Sequence, residues 1–304
     1  MANLGELIMT KAKAARAFHI LVATDGSASA QAAVAAAHHF PWPNATRMRA
    51  VVVRHFVPTN FEPSIDAALA KSAQTIADDA QFDLQSRWPD ATATVANGSP
   101  VESVLAEAER FEADIIIVGW RGHGPIRRLL AGSVSRNLVR RATCSVLVVR
   151  KKQNRLREIV IGFDGSPKSR RAIALVANLA VPKGGRVTIV RSVERIGVQS
   201  QVLVAAGTRA IVAQEIRQLN IERLAKGRAE ARLAAATLES AGWDVRIVVT
   251  NGEPLNDLLT EVEELQSGLL VVGARGTSGI RQLLLGSVAD GAVNRSPVSV
   301  LIAR

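Results

Sequence analysis

The sequence of 304 residues repeats itself, and this duplication restricts the possible fold more than any other feature. The segment ILVATDGSASAQAAVAAA, which begins at Ile20, is matched by IVIGFDGSPKSRRAIALVA, which begins at Ile159. Later in each half, IIIVGWRG is matched by LLVVGARG, and AGSVSRNLV is matched by LGSVADGAV. A chain of about 300 residues is long enough for two domains. We therefore predict an N-terminal arm over residues 1–17, a first domain over 18–150, a linker over 151–158 and a second domain over 159–304.

Short apolar runs alternate with helical patterns in each half, which is typical of a parallel sheet with helices on both faces. The runs Ile115–Val118 and Val146–Val149 are apolar throughout, as expected for central parallel strands. Right-handed crossovers then give two tandem doubly wound, Rossmann-like α/β units. In the first half we predict strands over His19–Thr24, Arg49–Val57, Ala91–Ala96, Asp114–Gly119 and Ser145–Arg150.

Spacing and capping signals refine this prediction. Asp25 and Asp164 are 139 positions apart, whereas Asn97 and Asn251 are 154 apart, so about fifteen additional residues lie in the middle of the second half. They fall in a stretch rich in Ala, Arg and Glu, which indicates a longer helix. In GSPVES, we predict that Ser99 caps a helix and that Glu102 completes a capping box.

The repeated motifs fall at the carboxyl ends of predicted strands, where doubly wound sheets bind ligands. Asp25 and Asp164 follow the first strand of each half, and Gly119 and Gly273 end the fourth. The acid and the glycine-rich segment of each half should therefore meet at one crevice.

The glycine-rich segment has the character of an anion cradle. Glycines let backbone N–H groups approach phosphate oxygens, and the N-terminus of a following helix favours negative charge. Residues 119–150 contain seven arginines and no carboxylate, and Arg121 and Arg275 are the side chains that we expect to assist. The hydroxyl of Ser133 could contact phosphate, cap the helix, or do both. The shared frame consists of Gly119, Gly122, Gly132 and Ser133 in the first half, and Gly273, Gly276, Gly286 and Ser287 in the second.

Because they carry negative charge, Asp25 and Asp164 cannot be phosphate ligands unless a metal ion intervenes. A carboxylate here could accept hydrogen bonds from the amine of a base or from a ribose hydroxyl. The alternative is an Asx turn that shapes the DGS segment. Both interpretations remain open from the sequence.

The spacing Gly-x2-Gly-x9-Gly-Ser after IIIVG or LLVVG, together with DGS after the first strand, resembles the universal stress protein family in tandem form. The resemblance implies five-stranded sheets of order 3-2-1-4-5 and one ATP in each crevice. By that likeness, Asp25 and Asp164 would meet adenine. The residues that would hold the triphosphates and riboses are Gly119, Gly122, Gly132, Ser133, Val134 and Ser135 in one half, and Gly273, Gly276, Gly286, Ser287 and Val288 in the other.

Two departures from the family pattern concern the expected sites. Where the family often has a small apolar residue after a histidine at the end of the second strand, beside the adenine, Phe56 follows His55 in the first half and Ser192 follows Arg191 in the second. In the helix after the glycine frame, Ala289 and Asp290 replace Ser135 and Arg136. The two sites are therefore expected to differ in how they hold a ligand.

We interpret the chain as a nucleotide-binding regulatory protein of a stress response. A slow ATP-hydrolysing enzyme and a nucleotide-free interaction module are the alternatives, and the need for Mg²⁺ stays open. The resemblance also implies pairing through the final strands, Val146–Arg150 with Val298–Ile302, as an internal pseudo-dimer or in a homodimer.

Composition excludes other classes. The net charge of +11 is spread over both halves, there is no tyrosine, and no nucleic-acid-binding motif is visible. No apolar run reaches the roughly 18 residues of a membrane span. The single cysteine, Cys144, lies beside an apolar run and is expected to be a buried thiol. We therefore expect a cytoplasmic protein with no nucleic-acid or membrane partner.

Overall fold

The computed structural model describes residues 17–54, 63–121, 132–152, 156–196, 206–276 and 285–304. The elements of the first half are β1 (Phe18–Thr24), α1 (Ala28–His39), β2 (Thr46–Arg54), α2 (Pro63–Gln85), β3 (Thr92–Asn97), α3 (Pro100–Arg110), β4 (Ile115–Gly119), α4 (Ser133–Arg141) and β5 (Ser145–Val149). Those of the second half are β6 (Glu158–Gly162), α5 (Pro167–Ala177), β7 (Arg186–Ser192), α6 (Ala206–Ser240), β8 (Asp244–Thr250), α7 (Pro254–Glu264), β9 (Leu269–Gly273), α8 (Ser287–Arg295) and β10 (Ser299–Ala303).

The strands form one ten-stranded sheet of order β3-β2-β1-β4-β5-β10-β9-β6-β7-β8. Each half has the predicted order 3-2-1-4-5, and all strands within a half are parallel. β4 and β5 are buried at every position, which explains why their sequences are continuously apolar. The predicted doubly wound α/β fold is confirmed.

The two halves meet where β5 pairs with β10. This pair is antiparallel, with Leu147 opposite Leu301, and it confirms the predicted pairing of the final strands within the chain. Arg150 after β5 donates through Nη2 to the carbonyl oxygens of Val293 (2.8 Å) and Asn294 (2.9 Å) at the C-terminal end of α8. Helix ends carry unsatisfied carbonyl groups, so this contact caps α8 from the opposite half.

The reciprocal contact completes a pseudo-twofold junction. Arg304 after β10 donates through Nη2 to the carbonyl oxygens of Val139 (2.5 Å) and Arg140 (3.1 Å) at the end of α4. Each half therefore caps the helix that begins at the glycine frame of the other half. A homodimer of the whole chain stays a prediction.

The core lies on both faces of the sheet and runs across the junction. On one face, Phe40, Trp42 and Leu84 share a continuous apolar cluster with Leu238 and Trp243. The cluster on the opposite face joins the inner sides of α3 and α4 to those of α7 and α8.

Three details differ from the sequence-based expectations. Strand β2 begins at Thr46 rather than Arg49, because Thr46–Met48 pair with Phe18–Ile20 of β1. Pro100 opens α3, but Ser99 makes no side-chain capping bond. The predicted capping box is absent because both carboxylate oxygens of Glu102 accept hydrogen bonds from Arg141 on α4.

Other sequence-based expectations have mixed outcomes. The additional residues of the second half lengthen α6 to 35 residues, against 23 in α2. Cys144 is partly buried, and burial raises the pKa of its thiol to about 11. The described residues do not include His55, Phe56 or Gly122. Of the N-terminal arm they include only position 17.

Candidate functional site

A cavity of about 640 Å³ opens at the carboxyl ends of β6, β7 and β9 in the second half. This volume lies within the range of small-molecule sites, roughly 300–1,000 Å³. All of the predicted second-half site residues line it: Asp164, Gly273, Arg275, Gly276, Gly286, Ser287 and Val288. The structure thus brings together residues that are far apart in the sequence, although their contact with a ligand stays a prediction.

The DGS segments form the same turn in both halves. Asp25 Oδ1 accepts a hydrogen bond from the Ser27 amide, and Asp164 Oδ1 accepts one from the Ser166 amide, each at 3.0 Å. Ser27 also caps α1 through its side chain. The Asx turn considered from the sequence is therefore present, and it fixes the direction of both carboxylates.

The second oxygen of Asp164 is turned toward the glycine frame. A Cβ placed on Gly276 would lie 2.6 Å from Asp164 Oδ2. The carboxylate and the start of the glycine-rich segment are therefore neighbours in the second half, as the two motifs predicted. Asp25 is exposed at the corresponding point of the first half.

Gly119 and Gly273 allow the fourth strand of each half to pass close to a helix. A Cβ on Gly119 would lie 2.5 Å from the carbonyl oxygen of Ser29, and one on Gly273 would lie 2.9 Å from the carbonyl carbon of Lys168. Any side chain at either position would collide with backbone. These two glycines hold the crevice in shape, which is a structural role beside the predicted contact with a ligand.

The helices α4 and α8 begin directly at the glycine frames. Gly132 and Gly286 occupy the N-cap positions, so Ser133 is not the cap and instead begins the helix. Ser133 and Ser287 are exposed at the first helical position, whose amides have no partner within the helix. The ends of both segments are closed in the same way, because Gly132 N donates to Trp120 O (2.8 Å) and Gly286 N donates to Ala274 O (2.9 Å).

Ser135 has a different environment from Ser133. It is buried, and its hydroxyl lies within hydrogen-bonding distance of the carbonyl oxygens of Trp120 (3.1 Å) and Gly132 (3.0 Å). In this arrangement it positions the start of α4, and its predicted contact with a ligand stays a prediction. Val134 and Val288 are partly buried against the apolar cluster beneath the helices.

Positive charge accumulates around the first glycine frame. The guanidinium groups of Arg121 and Arg150 lie 4.0 and 3.9 Å from the centre of the Trp120 ring. Burial, and then the charge of Arg121, lower the pKa of Arg150 to about 10. An anion bound nearby would relieve this repulsion.

The second frame has a similar surplus of cations. Burial lowers the pKa of Lys168, and the charges of Arg171, Arg304 and Arg275 lower it further. Burial and the charge of Arg275 also lower the pKa of Arg304. Both frames therefore lie in an environment that favours a negatively charged ligand.

Sequence reasoning missed one feature of the cavity. Arg191 at the end of β7 forms an ion pair with Glu230 of α6, with Nη2 and Oε2 3.2 Å apart, and both residues line the cavity. From the sequence alone, Arg191 of the second half was matched with His55 of the first half. Strand register instead places it level with Val52, because Ile20 pairs with Met48 as Ile159 pairs with Val187.

The described ranges of the chain also bear on membrane insertion and on metal binding. None of the described helices combines the length and the apolar character needed to cross a membrane. Within the same ranges, no group of three or more His, Cys, Asp or Glu side chains is placed to hold a metal ion.

The fold and the site together define a class of protein. Its members are tandems of doubly wound α/β units, each with a glycine frame at the carboxyl ends of its strands. The model of the universal stress protein family matches residues 17–150 and 155–304. The chain therefore belongs to the universal stress protein family and carries two copies of its domain.

Individual relatives agree with this assignment. A universal stress protein of Mycobacterium tuberculosis is 30% identical over 206 residues, which cover 64% of this chain and 62% of that protein, less than two thirds of its length. One from Bacillus subtilis is 27% identical over 149 residues, covering 48% of this chain and 98% of that protein. The crystal structure of a universal stress protein from Archaeoglobus fulgidus has a TM-score of 0.68 at 17% identity and covers 95% of this chain and 97% of that chain, which shows a shared fold.

Proposed function

We propose that each half of the chain binds one ATP and that the protein acts as a nucleotide-occupied regulator of a stress response. The observation that carries the proposal is the cavity of about 640 Å³ in the second half, which joins Asp164 to the whole described part of the glycine frame. The shared turns and helix starts extend the proposal to the first half.

The residues at one side of the cavity suit a triphosphate. The first amides of α8 and the hydroxyl of Ser287 supply donors, and the N-terminus of the helix favours negative charge. Arg275 and the neighbouring cations supply positive charge. Any Mg²⁺ would be held largely by the phosphates, since the described residues offer no cluster of three or more His, Cys, Asp or Glu side chains as metal ligands.

The base would lie on the opposite side of β6, toward β7, because β7 and β9 flank β6 in the sheet. Asp164 at the end of β6 then lies between base and phosphates. This placement suits a hydrogen bond that the carboxylate accepts from the ribose or from the base, one of the two interpretations that the sequence left open.

Slow hydrolysis is a second candidate because Asp164 Oδ2 lies so close to Gly276 of the frame. A carboxylate near the phosphates could orient an attacking water. Turnover of ATP with Mg²⁺ that is lost in Asp164→Asn would favour this activity over simple occupancy. Retained nucleotide with negligible turnover would favour the regulatory role.

The proposal is tested by counting nucleotides per chain in Gly132→Glu and Gly286→Glu. Gly132 has φ −57° and ψ 153°, and Gly286 has φ −73° and ψ 156°, so both positions accept a side chain without backbone strain. Each change adds a carboxylate at the start of α4 or α8. Each should reduce the stoichiometry from two ATP to one, and the double variant should bind none.

Gly132→Gln and Gly286→Gln are the matched controls, since they add nearly the same volume without charge. They should weaken binding less than the glutamate variants. Unchanged stoichiometry in both glutamate variants would show that the phosphates do not lie at the glycine frames. Absence of ATP binding by the unmodified protein would reject the proposal and leave the interaction module.

A further inference from the structure

The two crevices differ at the side that faces β2 or β7. Strand register places Arg191 at the position of Val52. A Cβ on Gly26 would lie 3.1 Å from Ile76 Cδ1, whereas one on the matching Gly165 would lie 3.0 Å from Glu230 Oε2. At this point β2 and α2 make an apolar contact in the first half, whereas β7 and α6 form an ion pair in the second.

A third residue changes together with this pair. Val52 packs against Ala73 of α2 in a buried apolar cluster. The corresponding helix position in α6 is Gly227, where a Cβ would lie 3.4 Å from Arg191 Cγ and 3.5 Å from its Nε. The same Cβ would press on Val193 Cγ2 at 3.1 Å, so the glycine lets the helix approach the end of β7 closely. Arg191 thus has a charge partner in Glu230 and a close helix neighbour in Gly227.

The other face of the same strand has also become polar. Val53 and Ala96 are paired neighbours in the first half, and Ser192 and Thr250 are paired in the second. Thr250 Oγ1 donates to Asp257 Oδ2 at 2.6 Å and lies 3.2 Å from Ser192 Oγ. Polar groups therefore replace apolar ones on both faces at this strand end.

These groups belong to the cavity. Arg191, Ser192 and Glu230 line it together with Gly276 and Ser287 of the glycine frame. The side chains of Arg191 and Glu230 keep 18% and 28% of their surface exposed, so both reach the open space. If the frame holds phosphates, these residues face the base.

We propose that Arg191, Glu230 and Ser192 select the base in the second crevice and favour guanine over adenine relative to the first crevice, an inference that rests on the proposed function. Guanine presents the acceptor O6 beside the donors N1–H and N2–H₂, whereas the corresponding edge of adenine has the reverse pattern, with the donor N6–H₂ beside the acceptor N1. The ion pair uses one nitrogen of Arg191 and one oxygen of Glu230. The guanidinium has further N–H donors and the carboxylate has a second oxygen, so both groups can also contact a base.

The base is selected by the hydrogen bonds that it can make with Arg191 and Glu230. A guanidinium can donate to O6 while a carboxylate accepts from N1–H and N2–H₂. In the same pose, adenine would direct its donor N6–H₂ at the guanidinium and its acceptor N1 at the carboxylate, which is costly in a partly desolvated site. Val52 and Ile76 offer no hydrogen bonds, so these two positions of the first half cannot make this distinction.

The test uses the two single-site proteins. Gly132→Glu leaves the second crevice intact, and Gly286→Glu leaves the first. The dissociation constants of ATP and GTP are measured for each by calorimetry, and tripolyphosphate, which has no base, reports on the glycine frame alone. We expect the ratio Kd(ATP)/Kd(GTP) to be at least tenfold higher for the second crevice than for the first, on the order of one lost polar pairing.

Replacement of the second-half set with its first-half counterparts should remove the difference. In the Gly132→Glu background, Arg191→Val with Gly227→Ala and Glu230→Ile should bring the ratio to that of the first crevice. Glu230→Gln keeps the shape of the side chain and should lower the ratio partway, which provides a test if the triple variant folds poorly.

The outcomes separate the two proposals. Equal ratios in the two crevices, or a ratio that neither replacement changes, would overturn the base selection while nucleotide binding stands. Failure of both single-site proteins to bind ATP, GTP or tripolyphosphate would overturn nucleotide binding itself, and the base selection with it.

Discussion

Val52, Ala73 and Ile76 in the first half, and Arg191, Gly227 and Glu230 in the second, occupy equivalent places on the same backbone. The first set packs as an apolar cluster, and the second contains an ion pair beside a glycine. The surrounding strand order is identical in both halves. The fold therefore tolerates opposite chemistry at this point, provided that charge and volume change together.

The comparison also shows why the three positions must change as a set. An arginine in the place of Val52 would place a guanidinium against apolar groups, which is costly without a partner. Glu230 supplies that partner, and Gly227 lets the helix approach the strand end closely. Gly119 and Gly273, in contrast, are glycine in both halves because a Cβ at either position would meet backbone atoms closer than 3.0 Å.

The largest effect on stability is expected when a side chain is added at the glycines that pass close to a helix. Gly119→Ala should reduce the free energy of unfolding by about 3 kcal/mol and Gly273→Ala by about 2 kcal/mol, because overpacking against backbone costs on this scale. The order follows from the closer approach at Gly119, where a Cβ would lie 2.5 Å from an oxygen atom, against 2.9 Å from a carbon atom at Gly273. Denaturant unfolding measures both changes.

Gly132→Ala is the control for this pair. Its Cβ would meet no heavy atom closer than 3.3 Å, so the cost should stay below about 1 kcal/mol. Equal costs at all three positions would show that close approach does not distinguish the frame glycines.

An intermediate effect is expected at the junction between the halves. Arg150→Met should cost about 2 kcal/mol and Arg304→Met about 1 kcal/mol, since each loses charge-assisted hydrogen bonds to a helix end. Arg150 also stacks on Trp120, whereas Ala274 occupies the equivalent position beside Arg304. Thermal or denaturant unfolding of the two variants would contradict this comparison if Arg304→Met were the more damaging.

The smallest effect should come from the two strand-to-helix contacts. Glu230→Ala and Ile76→Ala should each cost about 1 kcal/mol, through a lost ion pair in one case and lost apolar contact in the other. High salt should reduce the first cost and leave the second unchanged, because only the first is electrostatic. Two equally salt-insensitive costs would show that the Arg191–Glu230 pair contributes no electrostatic stabilisation.

Local patterns predicted most of the fold. The repeated DGS and glycine frames, each after an apolar strand, were sufficient to place Asp164 and Gly276 side by side. Continuous apolar runs predicted β4, β5 and their partners in the second half. These features depend on strand periodicity and turn chemistry, which short segments of sequence carry directly.

The Arg191–Glu230 pair was not predictable in the same way. The two residues are separated by 39 positions (230 − 191) and by a lengthened helix, so only the strand register relates them. The predicted capping role of Glu102 was also wrong. Its carboxylate bonds to Arg141 on α4 and not to the start of its own helix. Both cases depend on tertiary contacts that local sequence does not specify.

The antiparallel pairing of β5 with β10 has a consequence for how such a protein can diverge after gene duplication. In an assembly of two identical chains, any substitution near the ligand appears in both sites at once. Joining the two copies in one polypeptide raises their effective concentration and keeps them paired. One copy can then acquire a new ligand preference while its sister retains the original one.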